Sequence, residues 1–575
     1  MEADLIDVSE VRKSFQHFTW TDYSVFVFML AICTGIGLYF GCVQKQKSTQ
    51  DYLMGGRHMN VVPVTFSLVA SFISGISILG TPTELYIYGT AYIFSLIGAC
   101  LMSIIISFTF MPVLHDLQVT SAYEYLELRY DKRLRLFGSV IFSMFTMAWL
   151  PIVIYVPALA FNQVTGVNIH IVSPVVCFVC IFYTSLGGLK AVVWTDVIQT
   201  IVMSGAMLLV MVKGTMIVGG FDEVMRRNWN TGRIEMPSLS FDLTERHTIW
   251  SVSIGSLFYW IGNIAVNQLM MQRYLSLPDL KTSKRAVWWF LGGITLILLT
   301  CAYSGMLAFA RYFDCDPLDS KLALAKDQIL PLLVMDILGE WNGLPGIFVA
   351  GVFSAALSSL SSGLNSMAAV VLEDFWKPFF RTLSHKETQI LIRAVVVVIG
   401  CVCVGLVFVV ERLGAVLQLT MSLSSASMGP LAGVFLMGIF FPFIDSTSAL
   451  TGGVIGLSSA WWVAAQAQLA QARGALRFEE KPRFIHNCTY SFPEKLILNR
   501  DDSEVAYLYR ISYFWYTAFG CIVTIIVACL VNIIPRDKKA KSSNELRLYA
   551  PFLRKWIAKK YQIKVSSTDV ELNKR

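Results

Sequence analysis

The hydrophobic pattern of this chain consists of long apolar stretches separated by shorter polar connections. An apolar stretch of about 20 residues is long enough to cross the hydrocarbon core of a bilayer as an α-helix. Stretches of this kind lie near residues 21–43, 60–83, 90–114, 135–162, 170–187, 191–219, 248–268, 286–311, 344–371, 388–411, 414–441, 445–467 and 511–534. The pattern therefore predicts an all-α polytopic membrane protein with thirteen transmembrane helices.

The composition supports this class. Of the 575 residues, 55% are hydrophobic and 15% are charged, whereas soluble domains carry about 25% charged residues. The segment 535–575 holds many of the basic residues that give the net charge of +7, and basic residues after a last span are typical of a cytoplasmic tail. We therefore expect the lipid bilayer, and not nucleic acid, as a partner. Within this tail, residues 551–561 mix basic and aromatic side chains, and the sequence leaves open whether they lie on anionic lipid or are solvated.

The distribution of charge also predicts the orientation. An odd number of spans puts the two termini on opposite sides, and cytoplasmic connections are enriched in lysine and arginine. The N-terminal residues 1–20, which combine acidic and basic side chains, are predicted to be extracellular, and the tail 535–575 is predicted to be cytoplasmic. The same rule assigns the connections that contain Arg129, Arg273 and Lys377 to the cytoplasmic side.

The long predicted outer loop 468–510 carries two features of extracellular chemistry. Asn487 begins the sequon Asn-Cys-Thr, which is a glycosylation acceptor only outside the cytosol. Cys315 and Cys488 are the two cysteines that fall in predicted outer loops. A disulfide between them is compatible with an oxidising compartment, although the sequence gives no distance. No spacing of cysteine and histidine resembles a zinc site.

The stretch 349–374 is unusual because polar residues interrupt its middle. These residues are Ser354, Ser358, Ser359, Ser361, Ser362, Asn365 and Ser366. Four of them, at positions 354, 358, 361 and 365, recur at helical spacing and share one face. Hydroxyl groups are costly in lipid unless they have partners, and their oxygens suit a small cation. Two interpretations remain open: a helix that holds an ion, or small residues that permit close helix packing.

Two other stretches contain small and polar residues near their middles. Gly75 and Gly80 interrupt the second span, and Gly255 and Gly262 interrupt the seventh. Counted from the second span, these are the first and sixth members of a ten-span unit, so they occupy equivalent places in two five-span halves. Paired broken helices indicate a transporter binding site near the middle of the membrane, where unwound backbone can bind ions.

Asp196, at the start of the sixth span, has Gln199 on the same helical face. An acidic residue at this depth is expected to attract a cation, and the alternative is an ion pair with Lys190 in the headgroup region. Glu84, at the outer end of the second span, is expected to be exposed or to cap a helix. Asn263 in the seventh span could equally serve a helix–helix hydrogen bond.

Seven motifs follow one another along the chain: DYLMGGRHM (51–59), ASFISGISILGTPTELY (70–86), TSAYEYLELRYDKRLR (120–135), YTSLGGLKAVVWTDVIQT (183–200), VNQLMMQRYL (266–275), LPGIFVAGVFSAALSSLSSGLNSMAAVVLEDF (344–375) and GPLAGVFLMGIFFP (429–442). With them the chain resembles the sodium/solute symporters, and closely the branch with the sodium-coupled monocarboxylate, multivitamin and iodide transporters. The resemblance implies a LeuT-like inverted repeat of five plus five helices, at 58–219 and 248–441. It adds one N-terminal helix at 21–43 and two C-terminal helices within 445–534.

The resemblance also implies the site residues, position by position. The sodium site would use the backbone carbonyls of Ala70, Ile73 and Ala355 and the hydroxyls of Ser358 and Ser359. A second ion or an ion path would involve Ser71, Asp196, Gln199 and Gln268. The solute would lie against Phe72, Ser74, Ser77, Trp260, Asn263 and Met421.

Three positions depart from the pattern of this branch. Ile87 stands where relatives carry a basic residue, Ser77 replaces a longer polar residue of some members, and Ile264 replaces a tyrosine. These changes leave the solute, including its assumed negative charge, open.

The resulting hypothesis is a plasma-membrane symporter that imports a small organic solute with Na⁺, by alternating access. The expected solute is a monocarboxylate or a vitamin-like anion. The alternative is a sodium-permeable sensor or channel-like protein without coupled solute uptake. An enzyme is not expected, because all seven histidines lie at span edges or in loops and the sequence shows no intramembrane cluster of histidines and carboxylates. Na⁺ is the expected ion, with no other metal and no organic cofactor, and the oligomeric state is left open.

Overall fold

The computed structural model describes residues 7–16, 18–44, 48–380, 383–411, 416–492, 505–534 and 543–561, and of residues 416–419 and 543–544 it describes the backbone alone. In these ranges the regular secondary structure is helical, as the hydrophobic pattern predicts. Sixteen helices are numbered here.

The first half of the bundle contains α1 (Trp20–Val43), α2 (Val61–Phe72), α3 (Gly75–Tyr88), α4 (Thr90–Leu117), α5 (Lys132–Thr165) and α6 (Ile169–Val218). The second half contains α7 (251–265), α8 (Gln268–Tyr274), α9 (Leu280–Arg311), α10 (Ile329–Leu338), α11 (Leu344–Phe379), α12 (His385–Val410) and α13 (Val416–Phe440). The C-terminal part contains α14 (Ser446–Ala472), α15 (Trp515–Val531) and α16 (Pro551–Lys560). Short helices outside this numbering are Val8–Ser14, Thr49–Met54, Glu124–Arg129, Phe221–Asn230 and Tyr507–Arg510.

Polar caps mark where several helices begin. The side chain of Asp131 accepts hydrogen bonds from two backbone amides of the first turn of α5, and Asp279 does the same for one amide of α9. Asp445 caps α14 in this way. A capping carboxylate satisfies amide groups that have no partner inside the helix. These caps therefore determine the residues at which α5, α9 and α14 begin, which the apolar stretches alone do not define.

The number of spans depends on how broken helices are counted. Among the described residues, nine helices are long and apolar enough to cross a membrane, and the bent pair α2 and α3 makes a tenth span. The predicted spans at 170–187 and 191–219 are two parts of α6, which leaves helical geometry at Gly188 (φ 55°, ψ −156°). The predicted spans at 248–268 and 511–534 correspond to the shorter α7 and to α15, which has 17 residues. The count of thirteen and the orientation of the termini stay predictions.

Three of the four glycines chosen as helix breaks do not lie at a break. Gly80 lies inside α3, so the prediction that it interrupts the second span is wrong. Gly255 and Gly262 lie inside α7, and the chain leaves helical geometry only after it, at residues 266–267. An added β-carbon at Gly255 would come to 3.0 Å from the carbonyl oxygen of Phe514, and one at Gly262 to 3.1 Å from the β-carbon of Met428. These glycines therefore permit close helix packing, and the prediction that they interrupt the helix is wrong.

The serine-rich helix α11 is buried along nearly all of its length against α6. The phenol of Tyr183 donates a hydrogen bond to the carbonyl oxygen of Leu357 (3.2 Å). Gly351 lies so near Ala206 that an added β-carbon would approach that residue's β-carbon to 2.7 Å. Close packing through small residues is thus real on this face of α11, and it places the helix in the centre of the bundle.

Glu84 is buried, so the expectation that it is exposed or caps a helix is wrong. Its carboxylate accepts two hydrogen bonds from Arg246 (2.7 and 2.9 Å), and the imidazole of His247 lies 3.3 Å away. The guanidinium group of Arg246 also lies over the rings of Tyr88 and Tyr513. Burial lowers the pKa of His247, so its imidazole is neutral at neutral pH and Arg246 is the charge that pairs with Glu84.

Cys315 and Cys488 form a disulfide in the structure, with their Cα atoms 5.0 Å apart. The bond joins the segment after α9 to the loop that follows α14. Asn487 lies next to it with an exposed side chain, as a glycosylation acceptor requires. Its glycosylation stays a prediction.

Loss of this disulfide is expected to lower thermal stability. Replacing Cys315 or Cys488 with serine removes a cross-link between residues 173 apart in sequence, and the chain-entropy estimate for a loop of that length is about 5 kcal/mol. Because both single variants and the double variant remove the same bond, all three should unfold at the same lowered temperature in detergent. Cys401→Ser, at an exposed free cysteine, is the control. Three different unfolding temperatures would contradict the pairing.

Candidate ion and solute site

Two residues, Ile73 and Ser74, leave helical geometry between α2 and α3. Both have extended backbone conformations, and the two helices meet at a bend of 60°. The last carbonyl groups of a helix have no partner inside that helix, and they carry its partial negative charge. The last turn of α2, which includes Ala70, therefore presents carbonyl oxygens to the interior of the bundle, where they are suited to a cation.

The serine-rich helix α11 contacts α2 at this break. The hydroxyl of Ser359 donates a hydrogen bond to the carbonyl oxygen of Ser71 (3.3 Å). Ser358 and Ala355 lie on the same face of α11 by helical spacing. Both are buried, and within the described residues the Ser358 hydroxyl makes no hydrogen bond of ordinary geometry. The structure thus brings together, beside one break, the predicted sodium ligands Ala70, Ile73, Ala355, Ser358 and Ser359.

Asp196 in α6 is fully buried beside the same break. Its Oδ2 atom accepts a hydrogen bond from the Ser67 hydroxyl (2.6 Å) and lies 3.4 Å from the Ser71 hydroxyl. Its Oδ1 atom has no hydrogen-bond partner of ordinary geometry within the described chain, and the Ser358 hydroxyl is close enough to interact with the carboxylate. One carboxylate oxygen therefore remains for a cation.

Arg273 in α8 is the partner that sequence reasoning missed. Its Nη2 atom lies 3.5 Å from Oδ2 of Asp196, and its guanidinium group donates to the hydroxyls of Ser67 (2.7 Å) and Ser362. The prediction that Arg273 lies in a connection between spans is therefore wrong, because the residue belongs to α8 and its side chain is buried in the bundle. The alternative pairing of Asp196 with Lys190 is wrong as well, since Arg273 is the cation beside that carboxylate.

The two glutamines predicted near an ion differ in their partners. The amide nitrogen of Gln199 donates to the sulfur of Cys33 (3.4 Å), and its oxygen has no partner among the described residues. Gln268 instead accepts from the backbone amide of Ala122 (2.7 Å) and donates to the carbonyl oxygen of Thr120 (3.1 Å). Gln199 therefore keeps an oxygen that could serve an ion, whereas both ends of the Gln268 amide are engaged with the connection before α5.

A cavity of about 90 Å³ lies beside the break. Such a volume holds several water molecules, and hence a solute of a few heavy atoms. In its wall the rings of Phe72 and Trp260 stack with centroids 4.7 Å apart, and Asn263 accepts a hydrogen bond from Ser424 (2.7 Å). No charged side chain of the described residues lines it. The lining includes all six residues predicted to face the solute, Phe72, Ser74, Ser77, Trp260, Asn263 and Met421.

Ser71 joins the cavity to the polar cluster on α6 and α11. It lines the cavity, its hydroxyl is 2.7 Å from that of Ser362, and its carbonyl accepts the hydrogen bond from Ser359. Ile87 and Ile264, where this sequence departs from its branch, are buried and do not line the cavity. Of the three departures, only Ser77 changes the cavity wall.

The sodium:solute symporter family matches residues 52–456. The chain belongs to this family. It is therefore a multi-pass membrane symporter of the plasma membrane, coupled to sodium, and a transporter and not an enzyme. As the hydrophobic pattern and the motifs predicted, the symporter has an all-helical membrane fold of the LeuT-like kind.

Individual relatives support the family assignment. The symporter is 35% identical over 549 residues to the sodium-coupled monocarboxylate transporter 1 of Xenopus laevis, covering 92% of this chain and 88% of that protein. It is 36% identical over 541 residues to the human sodium/iodide cotransporter, covering 90% and 84%. Among solved structures it superposes on a Na⁺-coupled sialic acid symporter with a TM-score of 0.75, at 24% identity, over 91% of this chain and 99% of the other. The last match shows the fold alone.

Proposed function

We propose that the symporter imports a small monocarboxylate or vitamin-like anion together with Na⁺. The observation that carries this proposal is the position of Ser71, which lines the solute cavity and also contacts Ser359, Ser362 and Asp196. A cation bound by the predicted sodium ligands would lie next to the solute. Ion and solute would then stabilise each other's binding, which is what symport requires.

The chemistry of the cavity is compatible with a small anion. No charged side chain of the described wall could pair with a carboxylate. The N-terminal end of α3, however, begins at the cavity with Ser74 as its cap, and the first amides of a helix carry partial positive charge. The bound Na⁺ would supply the counter-charge, and serine hydroxyls would donate hydrogen bonds to the anion. The aromatic wall, with Phe72 and Trp260, would hold a short apolar chain.

Alternating access would use the two interrupted helices, within halves that we propose at 58–219 and 248–441. Na⁺ bound between α2 and α11 would hold the outward-facing state, and solute binding would then permit closure of the outer side. Release follows when the inner halves α2 and α8 separate from α11. The N-terminal helix at 21–43 and the C-terminal helices within 445–534 would lie outside this moving unit.

The decisive experiment is uptake of labelled solutes into cells that express the chain, in sodium medium and in choline medium. The panel contains lactate, pyruvate, butyrate, biotin, pantothenate and iodide. Sodium-dependent accumulation of a short monocarboxylate is the expected result, because the cavity suits a solute of a few heavy atoms. Sodium currents without accumulation of any solute, in protein present at the surface, would instead identify the uncoupled sensor or channel.

Truncation of the cavity wall should affect the solute more than the ion. Trp260→Ala removes the ring that stacks on Phe72, and an aromatic pair contributes about 0.5–1.5 kcal/mol beyond its buried area. We expect the KM for the solute to rise roughly tenfold, with the half-saturating sodium concentration changed much less. Trp462→Ala, at an exposed tryptophan of α14, is the matched control. An equal loss in both tryptophan variants would argue against a solute role for Trp260.

A further inference from the structure

The C-terminal helix α16 is held against the bundle by one face. Arg554 forms an ion pair with Asp116 at the end of α4 (3.2 Å) and donates to the carbonyl oxygen of Tyr549 (3.0 Å). Ile557 is fully buried and Ala558 nearly so. Residues 554, 557 and 558 share a face by helical spacing. The helix therefore has a fixed orientation on the protein.

The segment before α16 fixes this position further. The phenol of Tyr125 donates to the carbonyl oxygen of Leu548 (3.0 Å), and the amide of Ala550 donates to the carbonyl oxygen of Ile439 (3.3 Å). Leu546, Leu548, Tyr549 and Ala550 are buried. The region is thus a docked part of the fold, which corrects the interpretation of 551–561 as a merely solvated tail.

The opposite face of α16 is both aromatic and basic. Phe552 is 64% exposed and Trp556 is 50% exposed, and Lys555, Lys559 and Lys560 are exposed as well. At 100° per residue these five side chains form one continuous arc, with the two aromatic rings in the middle and lysines on both sides. We call this arc the outer face of α16. Residues 551–561 contain no acidic side chain.

The outer face of α16 lies close to the end of a membrane helix. The ring of Phe552 lies 6.2 Å from the ring of Phe440, the last residue of the membrane helix α13. The ammonium group of Lys560 lies over the Trp556 ring, 4.6 Å from its centroid. Aromatic side chains with adjacent lysines are characteristic of the level of lipid headgroups. The face therefore lies where an apolar helix leaves the hydrocarbon.

We propose that the outer face of α16 binds anionic lipid headgroups of the leaflet into which α4 and α13 end. Three lysines supply charge complementarity, and two aromatic rings insert among the headgroups and upper acyl chains. With the C-terminus on its predicted side, this is the cytoplasmic leaflet, which is the anionic one. Because Arg554 of α16 forms an ion pair with Asp116 of α4, binding of anionic lipid to α16 would also affect the end of α4.

The test measures amide hydrogen exchange of residues 551–561 in the full-length protein. The protein is placed in nanodiscs of phosphatidylcholine alone, or of phosphatidylcholine mixed with phosphatidylserine. A lysine near an anionic surface contributes a factor of roughly five to its binding. Exchange in α16 should therefore slow by at least tenfold in the anionic discs, and added salt should reverse much of this effect.

Two variants of equal charge make the test specific. The lipid-face variant is Lys555→Gln with Lys559→Gln and Lys560→Gln. The control is Lys132→Gln with Lys281→Gln and Lys386→Gln, at exposed lysines near the same end of other helices. The slowing should vanish in the first variant and persist in the second, while both keep sodium-dependent uptake as evidence of folding.

Three results would overturn the proposal. Equal exchange in neutral and anionic discs would show that lipid charge does not reach α16. If both variants lost the slowing of exchange equally, the slowing would come from the overall electrostatic attraction between the protein and the anionic membrane, and not from the outer face of α16. Slowing that appears only when an acidic polypeptide such as polyglutamate is added in solution would identify a protein, and not lipid, as the occupant of the outer face.

Discussion

Asp196→Asn is expected to reduce sodium-dependent uptake at least a hundredfold. The substitution keeps the shape of the side chain but leaves the charge of Arg273 buried without its partner, and breaking a buried pair in this way costs about 3–5 kcal/mol. It also removes the carboxylate oxygen that has no hydrogen-bond partner in the described structure. Initial uptake rates as a function of sodium concentration, together with the yield of folded protein, would measure both consequences.

A double variant separates the two roles of Asp196. Asp196→Asn with Arg273→Met leaves no unpaired charge, so it should regain stability relative to Asp196→Asn alone. Apparent sodium affinity should stay low if the carboxylate lies on the ion path. Glu84→Gln provides a control, because it breaks a buried ion pair away from the site and should lower stability without changing sodium dependence. Full recovery of sodium affinity in the double variant would reduce Asp196 to a structural partner of Arg273.

The second large effect is expected from Ser358→Ala combined with Ser359→Ala. These substitutions remove two hydroxyls beside the end of α2, and an interaction of a polar group with a charge contributes about 1.5–3 kcal/mol. The half-saturating sodium concentration should rise by roughly ten- to a hundredfold per hydroxyl. Sodium-dependent current or uptake at fixed solute would show the shift.

A serine of another helix provides the comparison. Ser304 in α9 is equally buried, but its hydroxyl donates to the carbonyl oxygen of Thr300 in its own helix. Ser304→Ala should leave the half-saturating sodium concentration unchanged. The ion assignment fails if the double substitution on α11 also leaves sodium dependence at its original value.

Much of the architecture could be predicted from the chain because long helices in lipid leave a strong hydrophobic signal. The sequence predicts the first break near Gly75, and the structure has it at Ile73 and Ser74, immediately before that glycine. The sequence predicts the second break at Gly255 and Gly262 because glycine is a common helix breaker. Glycine also permits close helix packing, and one sequence does not distinguish these two uses.

Buried ion pairs are harder to predict, because the two partners are far apart in the sequence. Arg273 follows an apolar stretch, and the positive-inside rule groups it with the basic residues of a cytoplasmic connection because that rule considers only position along the chain. Its partner Asp196 is 77 residues away in sequence. The sequence likewise gives no sign that Glu84 is buried, because its partner Arg246 lies 162 residues later. Such pairs depend on tertiary proximity, and the resemblance to a family supplied the site residues that periodicity could not.

The short helix α8 has a mechanical consequence. Its seven residues carry Gln268, bonded to the backbone before α5, and Arg273, bonded to Ser67 of α2 and beside Asp196 of α6. This rigid helix of about two turns thus holds the connection before α5, α2 and α6 together at three points. Movement of α8 away from α5 and α6 has to break the contacts of Gln268 and the pairing of Arg273 with Asp196 together, because both side chains belong to one short helix. Opening on that side is therefore expected to be all-or-none, and partial separation would leave a buried arginine without a counter-charge.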